Sequence, residues 1–247
     1  MNAFDVYRYI EEKHKTVVTT IRMKKLCWSD FIERANYSIS LNGGELRTAA
    51  KKETADEFIK VLIRKFAENP DFVVSIMCGP WLVEGEEAQK GEDPAINNTL
   101  RELYKLSLEN QNYNIYIYCN PLNVLESTEA GYMHSVIIDE GKPTQEAYLE
   151  YPHGCPKNPN AYKRHKWMNS KNVGFINDVI RTRKNFCKQW GIEQQTIETA
   201  YRQIREWTFI DFYTSTEGWN YSTRLGFGNR LKKWLNGSIH PPAISAN

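Results

Sequence analysis

Asp139, Glu140 and Lys142, in the stretch DEGK, have types and spacing that could do chemistry. An acid-x-Lys pair at a strand end can hold a divalent ion and activate water for phosphodiester hydrolysis. That chemistry needs a second acid on the neighbouring strand. NIYIYC (114–119) offers none, and Glu126 and Glu129 lie in an expected loop. Pro143, directly after Lys142, suits a turn better than a strand. The plainer reading is a hairpin turn, with Asp139, Glu140 and Lys142 as the catalytic candidates if the chain is a hydrolase.

Other constellations are thinner. His153, Cys155 and His165 carry zinc donors, but the pattern H-x-C-x9-H lacks a fourth ligand at tight spacing. Cys119 or Cys78 could be a nucleophile served by His134, yet both cysteines end apolar runs, where a free thiol is usually a small core residue. There is no GxxxxGK[ST] and no GxGxxG after a strand. The HxKxxxxD pattern of phospholipase D chemistry is also missing, since His165 and Lys166 are adjacent. No metal site and no cofactor are assigned.

The fuller signal is basic. YKRHKW (162–167), RTRK (181–184) and RLKKW (230–234) interleave cations with aromatics. Lys and Arg neutralise phosphates and release counterions, and aromatic rings stack on unpaired bases. Lys163, Arg164, Lys166, Arg181, Arg183, Lys184, Arg230, Lys232 and Lys233 are the nucleic-acid-binding candidates, with DNA or RNA as partner. The competing reading is a solvated helix face whose Trp residues belong to the core.

The elements that must position these residues change character along the chain. FDVYRYIEEKHK reads as a short helix and YSISL (37–41) as a strand ending at NGGE. Thr54 and Glu57 have capping-box spacing, ahead of a helix with Phe58, Leu62 and Phe66 on one face. FVVSIM (72–77) is a buried strand. A helix with Leu100, Leu103 and Tyr104 follows, then the alternating strand of residues 112–121. Strands separated by helices imply parallel crossovers, so the expected class is α/β with a mixed sheet. HSVIID and EAYLEY add an antiparallel hairpin. YPHGCPKNPNAYKRHKW reads as a loop and places a boundary near residue 152. The expected division is an α/β domain over 1–152 and a basic helical region over 153–247. The helix bearing Phe175, Ile176, Val179, Ile180, Arg183, Cys187 and Trp190 opens that second part, and WGIEQQ interrupts it.

The net charge of +2 over 247 residues hides a segregation. Residues 1–80 carry +2, residues 81–152 carry −9 and residues 153–247 carry +9. Five scattered cysteines without a CxxC point to a reducing compartment. The opening residues show no apolar leader core, and no apolar run approaches 18 residues. The expected location is the cytoplasm, with no membrane partner.

The segment WTFIDFYTSTEGWNYSTRLGFGNRLKKWLNG (207–237) resembles the C-terminal segment of phage and plasmid replication-associated proteins, DnaD-like and helicase-loader-like. The matching residues are Phe209, Phe212, Tyr213, Gly218, Trp219, Arg230, Leu231 and Trp234. The resemblance implies a replication or mobile-element setting and supplies no catalytic residues. Those proteins usually begin with a winged helix, whereas this chain begins α/β. Three functions therefore stand: a nucleic-acid-associated protein using its basic C-terminal half, a structural or assembly protein whose acidic and basic parts mate between subunits, and a hydrolase or nuclease with its site at the C-terminal strand ends, in the loops after Met77, Cys119 and Asp139.

Overall fold

The structure is a computed structural model that describes residues 3–23, 28–42, 52–78, 98–110, 112–119, 134–151 and 165–203. The described residues build one mixed eight-stranded sheet with helices on both faces, so the α/β expectation holds. In chain order the elements are α1 (Ala3–His14), β1 (Thr19–Met23), α2 (Trp28–Arg34), β2 (Ser38–Asn42), α3 (Lys52–Glu68), β3 (Val73–Cys78), α4 (Asn98–Glu109), β4 (Asn114–Cys119), β5 (Ser135–Ile138), β6 (Glu146–Glu150), β7 (His165–Ser170), α5 (Val173–Trp190) and β8 (Gln194–Thr196). Residues 197–203 form a further helical segment. None of the described helices is long and apolar enough to cross a membrane.

The sheet order is β1-β7-β6-β5-β2-β3-β4-β8. β2, β3 and β4 run parallel, joined through α3 and α4 as the crossover pattern requires. β5 and β6 form the expected antiparallel hairpin, and β5 lies antiparallel on β2. α3 begins at Lys52, so Thr54 sits inside its first turn and not at the cap.

Burial follows the layers. α2, α3 and α4 cover one face, where Phe31, Phe58, Leu62 and Leu103 pack on Leu41, Val74, Ile76 and Ile117. α1 and α5 cover the other, where Tyr7, Ile10, Phe175 and Val179 pack on Ile137, Leu149 and Met168. Each such side chain contributes about 1.5–3 kcal/mol of transfer free energy. β5 and β6 are buried at every position because both their faces are covered. β4 alternates instead, with Ile115, Ile117 and Cys119 buried and Tyr116 and Tyr118 only half-buried, because its second face is less covered.

Two readings of the second half are corrected. Residues 165–167 are not loop: they open β7, which pairs with β6 on one side and β1 on the other. WGIEQQ is not merely a break, since Gln194–Thr196 forms β8 on the edge of β4. β6 and β7, on either side of residue 152, are neighbours in the sheet. α5 itself is read correctly, with Asn172 capping its start and Gly191 its end, at φ 63 where a residue without Cβ is unstrained.

Candidate functional site

The turn after β5 is held by a carboxylate. Asp139 has φ 51, a left-handed conformation unusual outside glycine. Its Oδ1 accepts the backbone N–H of Asn36 (2.9 Å), Tyr37 (2.7 Å) and Ser38 (3.1 Å). Its Oδ2 accepts the Thr144 hydroxyl at 2.6 Å. Burial alone would raise the pKa of this group; the bonds from Thr144 and from the amides of Tyr37, Ser38 and Asn36 outweigh it and hold the carboxyl below its ordinary value. Asp139 therefore ties the β5–β6 turn to the entry of β2.

Glu140 and Lys142 diverge. Glu140 Oε2 meets Arg183 Nη2 of α5 at 3.2 Å. Lys142 Nζ lies 5.2 Å from the centroid of the Tyr37 ring. Both rim an open cleft of about 970 Å³ whose floor includes Ser38, Ser40 and Ser75. The strand directions also separate the three loops expected to share a site. Asp139 bonds Ser38 at the N-terminal end of β2, whereas Met77 and Cys119 sit at the C-terminal ends of β3 and β4. The site expected from these loops is therefore split between opposite ends of the sheet.

Cys119 and His134 are also apart. β4 and β5 are separated by β2 and β3, a gap of about 14 Å at the usual strand spacing. Cys119 is buried and its thiol is pushed up to about 12 by desolvation. His134 Nδ1 instead meets buried Glu150 at 2.7 Å. The side chain of Cys78 lies outside the described residues, as do His153, Cys155 and the side chain of His165. Among the described residues, no three His, Cys, Asp or Glu groups cluster as metal ligands would.

The basic candidates separate into three groups. Lys163, Arg164, Arg230, Lys232 and Lys233 lie outside the described residues. Lys166 and Arg183 are engaged within the fold. Lys166 meets Glu11 at 2.7 Å and lies over the Tyr7 and Tyr151 rings. Arg183 is only 11% exposed and bonds Ser40 Oγ as well as Glu140. Its sequence register with Phe175, Val179 and Cys187 was the signal that it turns inward.

Arg181 and Lys184 point outward. Lys188, which the sequence reading did not single out, joins them one turn later. With Asn177 and Asn185 they form an exposed stripe at helical spacing that carries no carboxylate. The one acid of α5, Asp178, is buried beneath it. Its Oδ2 meets Lys13 Nζ and His14 Nε2, each at 2.8 Å, and its Oδ1 meets Arg181 Nη2 at 2.5 Å. Burial would raise the Asp178 pKa; the bonds from Lys13 and His14 and the charge of Arg181 lower it overall. Lys13 is the member of this cluster that sequence reasoning missed, because its partner stands 165 residues away.

No protein-family model matches the chain, and no curated protein does. Among solved structures it is similar to TrmBL2, an archaeal chromatin protein showing a novel mode of DNA binding, at 13% identity and a TM-score of 0.40, over 77% of this chain. The chain spans 62% of that protein's length. It is similar also to Nuc, a phospholipase D family member from Salmonella typhimurium (12% identity, TM-score 0.36, covering 72% of this chain and 97% of that one). NucT from Helicobacter pylori compares in the same way (11%, 0.36, 68% and 94%). At such values these likenesses transfer no residue role to this chain.

Proposed function

We propose that this is a cytoplasmic nucleic-acid-associated protein that grips phosphates through the outer face of α5. The observation that carries the reading is the exposed stripe of Arg181, Lys184 and Lys188, whose one acidic neighbour on α5, Asp178, is buried and shared with Lys13. An exposed cationic face attracts a polyanion and releases its counterions. Lys163, Arg164, Arg230, Lys232 and Lys233 are proposed to extend it. The free thiols of Cys119 and Cys187 fit a reducing compartment. A replication or mobile-element setting is proposed on the aromatic and basic segment 207–237 alone.

The test is fluorescence anisotropy with a labelled oligonucleotide and a labelled duplex at about 50 mM and about 200 mM salt. The expected result is binding that weakens steeply with salt. Converting Arg181, Lys184 and Lys188 together to Ala should weaken it at least about tenfold and shallow the logarithmic salt slope by about two to three. Lys184 and Lys188 are exposed, and without Arg181 the buried Asp178 keeps Lys13 and His14, so the fold should be kept. No binding to either probe at the lower salt, or a triple variant that binds as the parent does, overturns the reading.

A further inference from the structure

The α5 stripe does not end at α5. Asp178 draws Lys13, at the C-terminal end of α1, to the same surface as Arg181. The two cations hold different oxygens of one carboxylate, so they stand no farther apart than those two bonds and the width of the group. Both stay accessible, with side chains 43% and 59% exposed. One carboxylate cannot neutralise two cations, so positive charge is left over at the junction of the helices. The exposed acid beside Lys13, Glu12, is held by Lys15 at 2.7 Å. The bond to Asp178 is the main reason the Lys13 ammonium holds its proton above its ordinary pKa.

An aromatic ring lies beside this pair. Tyr9 is one helical turn before Lys13 and 54% exposed. Lys13 Nζ is 5.6 Å from its ring centroid. A contact chain thus runs across two helices: exposed ring, ammonium, buried carboxylate, exposed guanidinium. A single exposed tyrosine is ordinary on any surface. A ring beside one cation, which a buried acid links to a second, is the pairing that single-stranded nucleic acid uses, with a base on the ring and its phosphate on the cations. A duplex keeps its bases stacked inside and has nothing to offer the ring.

We infer that the ligand of this surface is single-stranded nucleic acid, with Tyr9 as the stacking platform, Lys13 and Arg181 as a two-helix phosphate clamp, and Asp178 as the residue that positions the clamp. The inference rests on the proposed α5 interface and goes beyond it in choosing the strandedness and in adding α1.

The experiment compares an oligo-dT of about 20 nucleotides with a duplex of equal length by anisotropy at low salt. The parent should bind the single strand at least about tenfold more tightly. Tyr9→Ala should weaken oligo-dT binding about tenfold and leave duplex binding unchanged, while Tyr9→Phe, which keeps the ring, should bind as the parent. Lys13→Ala should shallow the oligo-dT salt slope by about one phosphate contact. Equal or tighter duplex binding, or a Tyr9→Ala variant that holds oligo-dT as the parent does, overturns this inference and leaves the α5 reading standing. Failure of the parent to bind either probe removes the α5 reading itself.

Discussion

Asp139→Ala is expected to destabilise the fold by about 3–5 kcal/mol, against a total of about 5–15 kcal/mol for a domain. The substitution leaves the amides of Asn36, Tyr37 and Ser38 and the hydroxyl of Thr144 without their acceptor. It also places a Cβ at φ 51 with no side chain to bond its own surroundings. Two further variants separate these causes. Asp139→Gly relieves the backbone and none of the lost bonds, so it should stay within about 1 kcal/mol of the Ala variant. Asp139→Asn keeps an oxygen for the three amides and tolerates the left-handed region, so it should cost about 1–2 kcal/mol. Urea unfolding midpoints at constant slope give the readout. The pH dependence has a defined sign. The carboxyl pKa is lower in the folded state, so its contribution is present above the unfolded value near 3.9 and is lost as pH falls through the folded value. Asp139→Asn should therefore lose less stability than the parent below about pH 4. An Ala variant within about 1 kcal/mol of the parent would show that the turn does not depend on this carboxylate.

That structural role was hidden because Asp139 and Asn36 are 103 residues apart, and only the antiparallel pairing of β5 with β2 brings them together. The parallel unit β2-α3-β3-α4-β4 was legible because its strands are apolar and its helices carry Phe58, Leu62, Leu100 and Leu103 at helical spacing. β1 was not, since Ile21 and Met23 are the only apolar residues in TTIRM. β7 was read as a basic cluster because its polar residues dominate the count. Trp167 and Met168 nonetheless enter opposite cores, as neighbours on a strand must. Arg181 and Lys184 were legible as outward residues once Ile176 and Val179 marked the inner face of α5. Lys13 was not, because nothing in α1 encodes the distant Asp178.

The strand hidden by its charges carries the second large effect. Trp167→Ala is expected to cost about 3–5 kcal/mol. The indole is fully buried, 6.3 Å from the ring of Phe31, in the core beneath α2 and α3. Its Nε1 has no hydrogen-bond partner among the described residues, so Trp167→Phe loses volume but none of the described bonds and should cost about 1–2 kcal/mol. The consequence reaches past one side chain, because β7 lies between β1 and β6 and α5 packs on β5 and β6. Unfolding followed by far-ultraviolet circular dichroism and by tryptophan fluorescence should give one coincident transition, moved to a lower midpoint by Trp167→Ala. Ending the chain after Pro152 should abolish that transition. The cut leaves β1 and one edge of β6 unpaired and strips α5 from Ile137, Ala147 and Leu149, exposing an apolar sheet face to water. A truncated chain that still unfolds cooperatively, or a Trp167→Ala variant with two separated transitions, would mean that the residues after 152 fold apart from the sheet. The sheet order argues the opposite: the chain must return through β7 before β1 and β6 have a common neighbour, so β7 and α5 are expected to fold with the strands that precede residue 152.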